Sequence, residues 1–161
     1  MIIRGVAIKF GDNINTDLII PGKFLNIDDP TELATHAMEG IDQDFYNNAK
    51  NKGIVVAGNN FGCGSSREQA AICLKYAGIK AIIAKSFARI FYRNAINQGL
   101  VIIENIDISD LIKNDDNIEI DLNKNIILNK SKNKNIEFKP IPKLFFNIMK
   151  SEGLINFLKE E

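Results

Sequence analysis

The stretch GNNFGCGSSREQAA, residues 58–71, concentrates the side chains that could carry out chemistry. The hydroxyls of Ser65 and Ser66 stand next to the guanidinium of Arg67, whose planar fork suits a carboxylate or a phosphate. The spacing S-x-x-[EQ] occurs twice, which predicts that one of the serines caps a helix whose free N–H groups favour an anion. These residues indicate an anion site beside two hydroxyls. A well-capped helix with a surface arginine is an equally open interpretation.

Familiar phosphate and nucleophile motifs do not fit this stretch. A P-loop needs Gly-Lys-Ser/Thr, but Gly64 is followed by Ser-Ser-Arg, and the dinucleotide fingerprint needs a glycine or alanine where Arg67 stands. The G-x-S-x-G elbow is absent. With His36 the only histidine, a Ser-His-Asp triad is poorly supported.

The glycines and cysteines of the region also have structural interpretations. Gly62 and Gly64 permit sharp turns and a close approach of the backbone to a ligand. Cys63 is either a reactive thiol near a helix start or, as we favour, a small residue in a tight turn. Cys73 is assigned to the core. The two cysteines match no zinc spacing, and a reducing, cytoplasmic setting is expected.

Composition argues against several classes of function. Twenty acidic side chains balance twenty basic ones, so no global field favours nucleic acid or an anionic membrane. No apolar segment approaches the roughly 18 residues of a membrane-spanning helix, and the start MIIRGVAIKFGD lacks the long apolar core of a signal peptide. We expect one domain over residues 1–161.

Short parallel strands and helices are predicted to position the serine-arginine stretch. β-branched runs predict strands covered on both faces at 54–58, 81–85 and 100–104, with helices between them at 66–77 and 87–98. This order predicts a parallel βαβαβ unit. The serines then lie at the carboxyl end of a strand, where open α/β sheets bind ligands.

Other elements complete a predicted α/β fold with a short parallel core plus antiparallel strands. A strand is predicted at 2–9, and a helix at 30–40 that Asp29 caps. From residue 117 onwards the pattern indicates antiparallel strands, and the tail at 141–159 is predicted to be helical.

Three segments in order resemble the small subunit of the isopropylmalate isomerase family, within the aconitase superfamily: FGDNINTDLIIPGKFL, FGCGSSREQA and KSFARIFYRNAINQGL. The homoaconitase small subunit is similarly close. The resemblance spans residues 1–105, and the remainder agrees in length and in its strand-then-helix ending. It implies an aconitase swivelling-domain-like β/β/α fold that closes over a large subunit holding a [4Fe–4S] cluster, in a heterodimer or heterotetramer.

The resemblance also implies a reaction, in which a 2-hydroxy di- or tricarboxylate is dehydrated and then rehydrated with the hydroxyl on the neighbouring carbon. Ser65 corresponds to the family's catalytic base, which takes the C–H proton while the cluster iron, as Lewis acid, draws away the hydroxyl. Ser66 and Arg67 would hold a substrate carboxylate. A cluster needs about three or four thiolates, so this chain should bind no cofactor and should be inactive alone.

Further positions follow from the same resemblance. Asp17 is expected at the rim of the active site, with a turn or capping role equally open. Arg93 is interpreted as a surface charge or subunit contact, and His36 as exposed or structural. The residues interpreted mainly as support for the serine loop lie beside it or after the next strand: Gly62, Cys63, Gly64, Lys85, Ser86 and Arg89. Lys85, Ser86 and Arg89 are expected to border the same crevice, with direct substrate contact as the alternative.

The loop KFLNID, residues 23–28, is expected to read the variable group of the substrate. Homoaconitase-like subunits resemble YLRT there, and Asn26 stands in place of their arginine, which disfavours a third carboxylate. Phe24, Leu25 and Ile27 offer apolar surface for an isopropyl group, although Lys23 could still reach a carboxylate. We favour 2-isopropylmalate, the leucine-pathway substrate, with homocitrate, citramalate and dimethylmalate as alternatives.

Two other classes compete with an enzyme subunit. A stand-alone carboxylate-binding module would use the same helix start and need no partner. A thiol redox protein acting through Cys63 would need a resolving cysteine, for which Cys73 is poorly placed.

Overall fold

A seven-stranded mixed sheet organises the fold in the computed structural model, which describes all 161 residues. The strands run in the order β4-β3-β2-β1-β5-β6-β7 across the sheet. β1 to β4 pair in parallel, whereas β5 to β7 pair antiparallel. The predicted parallel core with added antiparallel strands is therefore confirmed. The strands are β1 (Ile2–Lys9), β2 (Gly53–Ala57), β3 (Ala81–Ala84), β4 (Val101–Glu104), β5 (Asn117–Asp121), β6 (Ile126–Asn129) and β7 (Lys134–Glu137).

Eight helices accompany the sheet, and two of them form the crossovers of the parallel unit. They are α1 (Thr16–Ile19), α2 (Pro30–Ala34), α3 (Phe45–Lys52), α4 (Glu68–Tyr76), α5 (Arg89–Asn97), α6 (Ile108–Leu111), α7 (Lys143–Lys150) and α8 (Leu154–Glu160). α4 connects β2 to β3, and α5 connects β3 to β4. None of the helices has the length and apolar character needed to cross a bilayer.

The hydrophobic core explains the composition of the central elements. Every residue of β2 and of β3 is buried, as expected for parallel strands covered on both faces. β5 instead alternates between buried and more exposed positions, the pattern of a strand with one wetter face. α4 packs against both α2 and α5, which accounts for its largely apolar circumference.

Two predicted helices differ from the structure. The helix predicted at 30–40 ends at Ala34, because Met38 adopts a positive φ of 58° and its N–H donates to the Ile19 carbonyl (2.7 Å). Its predicted cap is confirmed, since the Asp29 carboxylate accepts from the Thr31 N–H at 3.0 Å. The tail forms two helices, α7 and α8, which Gly153 separates with a φ of 132°.

Candidate active site

The serine loop, residues 58–67, leaves the carboxyl end of β2 and enters α4. A second segment, residues 85–88, leaves the carboxyl end of the adjacent strand β3 and enters α5. Because the two strands are parallel neighbours, both segments meet at one edge of the sheet, as the sequence predicts.

The segment Ile14–Thr16 holds one side of the serine loop. The Gly62 N–H donates to the Ile14 carbonyl at 2.7 Å, and the Thr16 N–H donates to the Cys63 carbonyl at 2.8 Å. The Thr16 hydroxyl donates to the Ser65 carbonyl at 2.9 Å. The motif near the start of the chain thus fixes the backbone that carries the serines.

The segment after β3 holds the other side of the loop. The Phe61 N–H donates to the Ser86 carbonyl (3.0 Å), and the Ser86 hydroxyl accepts from the Asn60 N–H (2.7 Å). The Ala88 N–H donates to the Phe61 carbonyl at 2.9 Å. All three motifs noted in the sequence therefore meet around one loop.

Gly62 is required where it stands for two separate reasons. Its φ is 83°, a left-handed conformation that residues with a side chain rarely adopt. A Cβ added there would also lie 2.2 Å from Cγ of Phe91, on α5. The absence of a side chain lets the aromatic ring pack directly against the loop.

The predicted capping boxes are wrong. α4 begins at Glu68, its N-cap is Arg67 in an extended conformation, and no side chain caps the helix. Ser65 and Ser66 precede the helix, where their side chains are exposed and form no hydrogen bond within the chain. The contacts of Thr16 with Ser65 and of Arg67 with α1 keep this segment out of the helix.

A cleft of about 390 Å³ lies beside the serine loop and the start of α5. Ser65, Ser66 and Arg67 line it from the loop, and Arg89 and Arg93 line it from α5. Its twelve lining residues include three arginines and no aspartate or glutamate. The cleft is thus electropositive and suited to a carboxylate.

Arg67 is tethered through one nitrogen of its guanidinium. Nη1 forms an ion pair with the Asp17 carboxylate and donates to the Ile20 carbonyl at 3.1 Å. Nε and Nη2 form no hydrogen bond within the chain, which leaves a two-donor edge for a carboxylate. Asp17 therefore orients the arginine, while Asn15 caps α1.

The backbone of the serine loop provides further donors. The N–H groups of Ser65, Ser66 and Arg67 donate no hydrogen bond within the chain. Together with the Arg67 guanidinium they form a local set of donors that can stabilise negative charge on a bound group or on a serine oxygen.

The residues of the 23–28 loop do not line this cleft. Phe24 stacks on the imidazole of His36, with ring centroids 3.7 Å apart, and the Lys23 ammonium lies 5.1 Å from the same ring. Leu25 is half-buried, whereas Asn26 is exposed. His36 thus has a structural contact, as the sequence suggests.

Lys85 differs from its expected position. Its side chain lines a second depression, together with Glu104 and Asp107, rather than the cleft beside Ser65. Its backbone N–H donates to the Gly58 carbonyl at 3.0 Å, so it supports the base of the serine loop through the backbone alone.

The two cysteines have different environments. Cys73 is fully buried in α4, and burial raises the pKa of its thiol. Cys63 is half-buried and contributes its carbonyl to the loop. Nowhere do three His, Cys, Asp or Glu side chains converge as potential metal ligands. The residues of this chain therefore do not fit an iron–sulfur cluster, which needs about three or four thiolates.

Sequence reasoning missed that Arg93 and Asn94 line the cleft. The available signal was the spacing from Arg89, because residues four apart lie on one face of a helix. Thr16 lies in the segment FGDNINTDLIIPGKFL, which the sequence analysis singled out, but its contact with the Ser65 carbonyl could be seen only in the structure.

Known proteins resemble this chain along most or all of its length. Residues 4–107 match the family model of the aconitase C-terminal domain. The chain is 55% identical over 161 residues to the 3-isopropylmalate dehydratase small subunit of Caldicellulosiruptor saccharolyticus, covering 100% of this chain and 93% of the relative. It is 56% identical to the methanogen homoaconitase small subunit of Methanocaldococcus jannaschii, covering 99% and 93%.

A solved structure shares the fold along almost the whole chain. The crystal structure of 3-isopropylmalate dehydratase from Methanocaldococcus jannaschii matches with a TM-score of 0.93 at 55% sequence identity. The match covers 99% of this chain and 95% of the other.

Proposed function

The chain belongs to the family of aconitase C-terminal domains, and from this premise we propose that it is the small subunit of a hydro-lyase that converts 2-isopropylmalate into 3-isopropylmalate. Water is removed to give an alkene and is added back with the hydroxyl on the neighbouring carbon. Its relatives are dehydratase subunits by name, which supports a hydro-lyase role. The placement of Ser65, Ser66 and Arg67 on one electropositive cleft is the observation that carries the proposal.

Ser65 is the proposed base. Its hydroxyl is exposed in the cleft and has no partner within the chain, so its oxygen is available to a substrate. It would take the proton from the carbon next to a carboxylate and return a proton when the alkene is hydrated. Because a free serine is a weak base, its alkoxide must be stabilised, and the unpaired N–H groups of the loop support that role.

Arg67 and Ser66 are the proposed carboxylate ligands. The free Nε and Nη2 edge of Arg67 can form two parallel hydrogen bonds to one carboxylate. Asp17 and the Ile20 carbonyl fix the opposite corner of the guanidinium, so less side-chain entropy is lost when substrate binds. Asp17 is thus a positioning residue in this proposal.

The loop at 23–28 supports isopropylmalate over a tricarboxylate. Asn26 is exposed and carries no charge for a third carboxylate, and the nearby Lys23 ammonium lies over the Phe24 ring. The second candidate is homocitrate, since a relative with 56% identity is named as a methanogen homoaconitase small subunit. The apolar side chains of this loop do not line the cleft of this chain. In this proposal they would contact the substrate in the complex with the large subunit.

A large subunit is the proposed partner, as the small-subunit names of the relatives imply. The iron–sulfur cluster expected for this family would belong to that subunit, since this chain has no fitting ligand set. A cluster of this kind supplies a Lewis acid for the leaving hydroxyl. This chain supplies the base and the carboxylate contacts.

The substrate assignment can be tested with the reconstituted pair of subunits under anaerobic conditions. Formation of the alkene is followed from 2-isopropylmalate and, separately, from homocitrate, with this chain alone as the blank. We expect turnover of isopropylmalate by the pair and none by the chain alone. Asn26→Arg should introduce activity on homocitrate, and Asn26→Gln, the neutral control, should not.

Two other results of this assay would each point to a different function. Preference of the unmodified pair for homocitrate would select the second candidate. Tight binding of a dicarboxylate by this chain alone, with no activity in the pair, would instead indicate a stand-alone binding module.

A further inference from the structure

We propose that Thr16, the first residue of α1, is a positioning residue for the serine base and acts through the backbone of the serine loop. This inference rests on the proposed function, in which Ser65 is the base. It assigns to Thr16 more than a packing role, because its two hydrogen-bond donors determine the direction in which N–H groups of the loop point.

Thr16 is a buried polar residue, and the serine loop accepts from both of its donors. The residue is only 3% exposed. Its N–H donates to the Cys63 carbonyl at 2.8 Å, and its hydroxyl donates to the Ser65 carbonyl at 2.9 Å. Alternate carbonyls of the loop are therefore directed at the same residue.

These two contacts determine where the next N–H groups point. In a planar trans peptide the carbonyl and the N–H point in opposite directions. The N–H groups that follow the two held carbonyls, those of Gly64 and Ser66, are therefore directed away from Thr16. Neither N–H donates a hydrogen bond within the chain, and both residues line the cleft. They are donors that can stabilise negative charge near Ser65.

The Thr16 hydroxyl also strengthens one of these donors. A peptide whose carbonyl accepts a hydrogen bond is polarised, so its N–H becomes a better donor. The peptide that joins Ser65 to Ser66 accepts from Thr16 in this way. Because a serine is a weak base unless its alkoxide is stabilised, loss of this hydrogen bond should slow the chemical step rather than weaken substrate binding.

α1 divides its contacts between the proposed base and the proposed carboxylate ligand. Thr16 holds the serine loop, whereas the next residue, Asp17, pairs with Arg67. The helix itself is fixed by the Asn15 side chain, which accepts from the Leu18 N–H at 2.9 Å. Thr16 is thus expected to affect kcat, and Asp17 to affect KM.

The test measures kcat and KM for isopropylmalate in the complex with the large subunit. Thr16→Val removes the hydroxyl and nearly keeps the shape, and we expect kcat to fall about tenfold or more while KM changes little. Thr16→Ser, which keeps a hydroxyl, should recover most of the loss. Asp17→Ala, the contrasting variant, should raise KM and largely preserve kcat.

A cycle of variants with Ser65→Ala tests whether Thr16 acts through the base. Thr16→Val should cause no further loss of kcat once Ser65 is replaced, because the oxygen that the loop stabilises is then absent.

The hydrogen bond can be measured by NMR in the full chain without a partner. The carbonyl carbon resonance of Ser65 and the amide proton resonance of Ser66 should shift in Thr16→Val and stay close to their original positions in Thr16→Ser. Circular dichroism checks that the fold is retained, and Thr16→Ala replaces the valine variant if that one does not fold.

The outcomes separate this inference from the proposed function. An unchanged kcat in Thr16→Val, with kcat lowered in Ser65→Ala, would overturn the inference and leave the proposed function standing. Losses that multiply in the double variant would also overturn it, because Thr16 would then act independently of Ser65. An unchanged kcat in Ser65→Ala would contradict the proposed base and overturn the inference with it.

Discussion

Arg67 illustrates how contacts within the chain orient a side chain of the candidate site. Its Nη1 is held by Asp17 and by the Ile20 carbonyl, while its other donors remain free. The Arg67 side chain is 16% exposed, against 65% for Asp17, so the arginine is the more shielded member of the pair. A shielded, oriented guanidinium binds a carboxylate with less reorganisation than a mobile one.

Gly62 gives a prediction at this scale. Gly62→Ala should lower the free energy of unfolding by about 2–5 kcal/mol, because it combines a left-handed φ with a clash against Phe91. Gly64→Ala is the matched control, since its φ is 93° but its added Cβ would lie 3.5 Å from the Thr16 hydroxyl. That variant should lose only about 1–2 kcal/mol.

Urea unfolding of the isolated chain, monitored by circular dichroism, measures both losses. Equal losses for the two variants would contradict direct packing of Phe91 on Gly62.

At the scale of elements, a buried polar cluster connects α6 with the antiparallel strands. Asp116 Oδ2 accepts from the Lys113 N–H and from the Asn129 amide, both at 2.8 Å, and the Lys132 ammonium lies 3.5 Å away. Asn129 is fully buried and also donates to the Leu111 carbonyl at 3.1 Å. Burial alone would raise the pKa of Asp116, but these hydrogen bonds and the ammonium outweigh it and lower the pKa.

A pH-dependent prediction follows for Asp116. Because its pKa is lowered in the folded state, the charged carboxylate stabilises the fold above its unfolded pKa, and this contribution is lost as the pH falls through the folded pKa. Asp116→Ala should therefore destabilise the chain by about 1–3 kcal/mol at pH 7. The difference from the unmodified chain should shrink as the pH falls below about 4.

Urea unfolding at pH 7 and pH 3 measures this effect. Asp110→Ala, which removes an exposed carboxylate with no partner, should change stability little at either pH. A constant difference for Asp116→Ala across this range would contradict the stabilising role of its charge.

The elements also show what the sequence could and could not predict. β-branched runs located β2, β3 and β4 to within a residue or so, because fully buried parallel strands leave a strong local pattern. The start of α4 was misplaced, since the contacts that keep Ser65 to Arg67 out of the helix come from Thr16 and Asp17, far away in the sequence. The end of α2 was missed for the same reason, because it depends on the contact between Met38 and Ile19.

The site was predicted best where a motif carried it. The roles of Ser65, Ser66 and Arg67 stay predictions, but their placement on one cleft at the end of β2 agrees with the sequence. The sequence predicts that Arg89 borders the same crevice, but not Arg93, because an arginine on a helix surface is common and the packing of Phe91 on Gly62 brings α5 to the serines.

At the scale of the whole molecule, the proposed function makes this chain one half of an active site. It offers an electropositive cleft, exposed hydroxyls and free N–H groups, and no group of side chains that could hold a cluster. In the proposed function a large subunit closes over this surface, and we therefore expect the isolated chain to be inactive.

The most direct measurement is the kcat for isopropylmalate of the two-subunit enzyme with Ser65→Ala, compared with Ser66→Ala as the neighbouring control. Removal of the proposed base should lower kcat by about 10²–10⁴-fold, whereas removal of the Ser66 hydroxyl should mainly raise KM. Both variants should bind the large subunit as the unmodified chain does. A Ser65→Ala enzyme that retains the kcat of the unmodified enzyme would show that Ser65 is not the base.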